Sequence, residues 1–145
     1  MLLLSLLLAP AIVASGQSFA CTPTRVWDGD GPIWCAEGPR IRLAGIAARE
    51  IDETCRPGHP CPKASGKAAR DHLVALLGGS RGTTATGHVR VFGPTLRCVS
   101  HGSGKGDRTA ALCAAPKPVG DLSCRMVRDG YALAWRSYGG DRLCR

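Results

Sequence analysis

Aromatic side chains are scarce in this chain of 145 residues: three tryptophans, two tyrosines and two phenylalanines make up 5% of it. With so few rings, a core has to rest on aliphatic packing and on cross-links. Paired C-x-x-C spacing is absent, which argues against structural zinc. Lysine is rare, 4 against 15 arginines, so the positive charge is mostly of the planar, forked kind. The first 20 residues hold no charged side chain, and their near-continuous apolar stretch, Leu2 to Val13, is too short and too near the terminus for a stable membrane span. With small residues at Ser15 and Ala20 as cleavage points, residues 1–20 read as an export signal. That leaves 21–145 as one domain, periplasmic or secreted. No internal repeat or long low-complexity segment is present, which excludes solenoids and fibrous arrays.

What is present in excess is cysteine and arginine. All 8 cysteines follow the signal, and an even count in a small exported chain points to disulfides. Eight cysteines allow about 105 pairings; neighbourhood along the fold suggests Cys21 with Cys35, Cys55 with Cys61, Cys98 with Cys113 and Cys124 with Cys144. Each closed loop adds on the order of 2–4 kcal/mol. The net charge of +8 is uneven: residues 21–80 hold 8 basic and 7 acidic side chains, residues 81–145 hold 11 and 4. Guanidinium suits phosphate better than ammonium does, so polyanions are the first partner class to consider, and basicity for solubility alone is the alternative. Nothing signals a protein partner, and a monomer is expected.

Alternation and turn clusters place strands at Thr24–Trp27, Ile33–Cys35 and Arg40–Gly45, an antiparallel meander broken by Asp28-Gly29-Asp30-Gly31-Pro32 and Glu37-Gly38-Pro39. Residues 51–63, rich in proline, read as a stapled loop. Ala69, Leu73, Leu76 and Leu77 share a helical face, so Ala64–Leu77 reads as a helix with Ser65 as its cap. Strands follow at His88–Phe92, Leu96–Val99 and Thr109–Cys113, with a mobile loop over Ser100–Asp107 that delivers Arg108. Asp121 caps a last helix, and a basic-aromatic tail runs from Tyr131 to Tyr138.

The run Arg40-Ile41-Arg42-Leu43-Ala44-Gly45-Ile46-Ala47-Ala48-Arg49-Glu50 joins this pattern to chemistry. A strand here buries Ile41 and Leu43 and turns Arg42 to the other face, where it needs an anion; Glu50 lies just beyond the strand. Together with Asp28-Gly29-Asp30 upstream and Gly106-Asp107-Arg108 downstream, the run resembles the thermonuclease (staphylococcal-nuclease-like) family. Three motifs occur in the same order over roughly residues 22–138. The resemblance implies a β-rich α+β fold, a five-stranded Greek-key barrel of the OB type with two or three helices. It also implies phosphodiester hydrolysis of DNA or RNA, with Glu50 as general base and Arg42 and Arg108 as phosphate clamps.

The same resemblance makes Asp30 a metal ligand, with a divalent ion, Ca2+ first, as cofactor. The family's other carboxylate position is Ala47 here, which weakens such a site, and Asp28 or Asp52 is left to compensate. Arg49 adds positive charge nearby, and Asp107 stands where it could compete for Arg108. Tyr138 is the candidate for stacking on a base, whereas Trp135 reads as core. His59, His72, His88 and His101 show no ligand spacing and read as structural or exposed. The competing expectation is a weak or inactive nuclease-like domain that holds nucleic acid or another polyanion, its affinity set by counterion release.

Overall fold

The computed structural model describes residues 10–145. Strands β1 (Ser18–Cys21), β2 (Pro23–Val26), β3 (Ile33–Cys35), β4 (Arg40–Leu43) and β5 (Ile46–Ala47) precede helix α1 (Gly66–Leu76). They are followed by β6 (Ser80–Thr83), β7 (Val89–Val91), β8 (Leu96–Ser103), β9 (Arg108–Ala115), β10 (Gly120–Asp121), helix α2 (Leu122–Arg128) and β11 (Leu133–Ala134). The main sheet runs β1-β8-β9-β4-β3-β2-β7-β6, with β10 added to β9, while β5 pairs with β11. The architecture is β-rich α+β, a sheet curled into a half-barrel with two helices. Among the described residues it has eleven strands, against six placed by alternation and five in the barrel that the resemblance implies, because β1, β5, β6, β10 and β11 are short or lie in segments without clear alternation.

Alternation decides which way each strand faces. In β4, Ile41 and Leu43 are fully buried while Arg40 and Arg42 face outward, as period-2 geometry requires. Ile33, Ile46, Leu73, Leu77, Leu96, Leu122 and Met126 complete a core with almost no aromatic content. All four expected disulfides are formed, and they fit an oxidising compartment. No helix among the described residues is long and apolar enough to cross a membrane.

Residues 1–9 of the expected export signal lie outside the described residues. Its last residues do not: Ser18, Phe19 and Ala20 pair with Val99, Cys98 and Arg97 across β1 and β8, and the Gly16 amide donates to the Ser100 carbonyl. The loop expected over Ser100–Asp107 is shorter than predicted. β8 continues to Ser103 past a bulge at Ser100/Gly102, and only residues 104–107 form the turn. Glycine and serine in this stretch signalled a loop, but cross-strand pairing with β9 overrides that propensity.

Candidate functional site

The Asp28-Gly29-Asp30 turn is buried rather than solvated. Gly29 is required there, since a Cβ would lie 2.6 Å from the Cβ of Ala69 on α1. Tight packing thus presses the turn onto the helix and leaves both carboxyls beside the site, Asp28 4% and Asp30 8% exposed. The Asp30 amide donates to Asp28 Oδ1 at 3.3 Å, and Asp30 Oδ2 accepts from the Ala48 amide at 3.1 Å. Burial, then the charge of Asp30 beside it, pushes the Asp28 carboxyl up to about 10, so Asp28 keeps its proton at neutral pH.

Arg42 reaches this turn from β4. Its Nη2 lies 3.5 Å from Asp30 Oδ2, and its Nη1 donates to the carbonyls of Leu43 and Ile46. Parallel pairing of β4 with β9 sets Arg40 opposite Arg108 and Arg42 opposite Ala110. Segments more than sixty residues apart in sequence therefore place their arginines on one face. Gly104 allows this approach: a Cβ there would sit 3.3 Å from Arg42 Cβ and 3.0 Å from the Ala110 amide nitrogen. Asp107 does not compete for Arg108, because Arg40 holds it at 2.7 Å. Arg108 Nε instead donates to the Lys105 carbonyl at 3.3 Å.

Glu50 is held by its backbone. Its amide donates to the Thr54 carbonyl and its carbonyl accepts from the Glu53 amide, both at 2.9 Å. Glu53, at a positive φ of 73°, then accepts from the amides of Gly66 and Lys67 at the start of α1. The helix N-terminus thereby anchors the turn that carries Glu50. Arg49 does not crowd the site, since its guanidinium donates to the carbonyls of Glu53 and Pro62 and clamps the 51–63 loop from the outside. Within that loop Arg56 Nε approaches Glu50 Oε1 at 3.4 Å. Arg42 and Glu50 do not pair with each other; each takes another partner.

These groups line one cavity of about 600 Å³. Asp28, Asp30, Arg42, Glu50, Arg108 and Tyr138 all border it, so the sequence-predicted site residues converge there except Asp52, which is exposed and accepts from the Thr54 amide and hydroxyl instead. Trp135 is a correction: rather than packing in the core it forms part of the wall, with Tyr138 edge-on at 4.6 Å and Arg42 over its ring at 5.6 Å. Two histidines expected to be merely structural or exposed also belong to the wall, His59 and His101. His59 packs against Trp135 at 4.4 Å. Its pKa is lowered by burial and then by the positive charges of Arg42, Lys105 and Arg56. No spacing rule exposes these two, because each reaches the cavity from a loop or bulge whose path depends on the Cys55–Cys61 bridge or the β8 bulge.

Ala47 is fully buried in β5 opposite Leu133 and offers no donor. Among the described residues no group of three or more His, Cys, Asp or Glu side chains is close enough to form a metal cluster. What remains is the adjacent pair Asp28 and Asp30 facing the cavity. Only once Asp28 gives up its proton would the pair offer two carboxylates, which with water completing the shell suit a hydrated, Mg2+-like ion rather than the all-protein cage of a tight Ca2+ site. Comparison with known proteins adds no relatives: no family model and no curated protein matches the chain.

Proposed function

We propose that this protein is an exported nuclease that hydrolyses phosphodiester bonds of DNA or RNA, on a curled sheet we read as an OB-type barrel. The observation that carries the reading is the meeting of Glu50, Arg42 and Arg108 in one cavity, from motifs whose order resembles that of the thermonuclease family. Glu50 takes a proton from the attacking water, which adds to phosphorus as the bond to the leaving oxygen breaks. Arg42 and Arg108 offer forked donors to the non-bridging oxygens, where charge accumulates in the transition state. Trp135, Tyr138 and His59 form a wall against which a base stacks. Asp28 and Asp30 are the residues that would hold a divalent ion, and such an ion would supply neutralisation of phosphoryl charge.

A second reading has specific support in the Glu50–Arg56 contact and in Ala47, which together describe a domain that holds nucleic acid while cleaving it weakly or not at all. The two separate in one assay, in which the oxidised protein is incubated with single-stranded DNA and RNA in Mg2+, Ca2+ or chelator. Divalent-dependent fragmentation supports the nuclease; retention of intact strands in every condition supports the binding domain.

A further inference from the structure

The outer face of the sheet carries a line of side chains of which the site accounts only for Arg108. Arg90 of β7 is directly opposite Arg25 of β2, Arg25 is opposite Trp34 of β3, Trp34 is opposite Arg40 of β4, and Arg40 is opposite Arg108 of β9. Residues in register point to the same face of a sheet, and adjacent strands lie about 4.8 Å apart, so the line is about 19 Å long. It ends at Arg108, on the cavity rim. Arg40 lies 3.9 Å and Arg25 4.8 Å from the centre of the Trp34 ring. His88 packs beside Trp34 and Trp27, its pKa lowered first by burial and then by Arg25 and Arg40.

This arrangement is costly without a ligand. Like charges directly opposite on a sheet destabilise it, yet among the described residues neither Arg25 nor Arg90 has a carboxylate partner. Among the described residues Asp107, on Arg40, is the one acid that pairs with the line.

We propose that the row Arg90–Arg25–Trp34–Arg40–Arg108 is a binding track for single-stranded nucleic acid, leading a strand across the sheet into the cavity. The identity of the cavity as a nuclease centre rests on the reading above; the track does not. Four guanidiniums grip successive phosphates, and Trp34, held between two of them, gives a base a cation-backed ring edge. The cavity has the size of a site for one small ligand, so it admits a single strand and not a duplex. A track of this length covers about 4–6 nucleotides at the stacked spacing of roughly 3.4 Å, within the range of an OB-type site.

The test is anisotropy of a labelled single strand of about 12 nucleotides, with Glu50→Gln protein to prevent turnover, across a salt series. Arg25→Gln/Arg90→Gln is expected to weaken binding roughly tenfold and to flatten the log–log salt slope by about 1.4, since each single-strand phosphate contact contributes about 0.7. The charge-matched pair Lys67→Gln/Arg128→Gln, on the helices, is expected to change neither. Removing the repulsion of Arg25 and Arg90 leaves folding intact, which thermal melting checks. An unchanged slope in the row variant overturns the track, as does an equal loss in the helix control, which would reveal a mere net-charge effect. Tighter binding to duplex or to phosphatidylserine vesicles than to single strands also overturns it. If wild-type protein fails to cleave while the row variant still loses its slope, the track stands and the nuclease reading falls.

Discussion

Gly66→Ala tests how the fold aims Glu50. Gly66 is the first residue of α1, buried, and its missing side chain is replaced by the backbone of Glu50. A Cβ built on Gly66 overlaps the Glu50 carbonyl oxygen and lies 2.7 Å from the carbonyl carbon, with the Arg49 carbonyl oxygen at 3.0 Å. Unstrained carbon contacts lie at about 3.5–4.0 Å, so the Glu50 turn and the helix must separate by about 1 Å. Alanine favours helix over glycine by about 1 kcal/mol, which partly offsets an overpacking cost of about 1–3 kcal/mol. A net loss of at most about 2 kcal/mol in stability is therefore expected. The effect on chemistry is larger, because a 1 Å misplacement of a catalytic group costs on the order of 100-fold. Urea unfolding and the rate of single-strand cleavage, measured on the same preparation, check both numbers. Full activity in Gly66→Ala would refute the claim that contact between α1 and the Glu50 backbone sets the general base.

Asp28→Asn is expected to stabilise the protein as pH rises. The folded carboxyl, pushed from 3.8 to about 10, stays protonated where the unfolded one ionises, so its contribution is full below pH 4 and is lost progressively as pH climbs toward 10. The wild type should therefore show urea midpoints falling from pH 5 to pH 8 in chelator, and Asn should flatten that fall, with a gain of roughly 2–4 kcal/mol near pH 7 as an upper bound; equal slopes would contradict it. The same variant should lose its response to divalent ions. Opening the bridge with Cys55→Ser/Cys61→Ser should cost only about 2 kcal/mol, because the closed loop spans 6 residues. Its KM for single strands should nonetheless rise several-fold, as Arg56 and His59 lose their place at the cavity; an unchanged KM would show that the loop is a bystander.

The candidate site was legible in sequence wherever chemistry and local pattern coincide. Arg42 sits at an outward position of an alternating strand, and the acidic turn, Glu50 and Arg108 follow in a recognisable order. Ser65 and Asp121 cap α1 and α2 as expected, through the Ala68 and Cys124 amides. What was not legible depends on register and on chain paths set by distant contacts. The placement of Asp107 against Arg40, which frees Arg108, follows from the parallel pairing of β4 with β9 and has no local signature. Glu53, inside the 51–63 stretch read only as a stapled loop, ties the Glu50 turn to α1. Trp135 looked like core because it is large and apolar, but its amide donates to the Gly45 carbonyl at 2.7 Å, and that bond sets the ring at the cavity wall.

The central claim is that Glu50 acts as the base in a two-arginine phosphodiesterase site. Its most direct test is single-turnover cleavage of one labelled DNA strand by wild type and by Glu50→Gln, with strand affinity measured in parallel. The account predicts a rate at least about 100-fold lower in the variant, with affinity equal or higher. Equal rates would contradict it, and would leave the cavity as a place where nucleic acid is held by charge rather than cut.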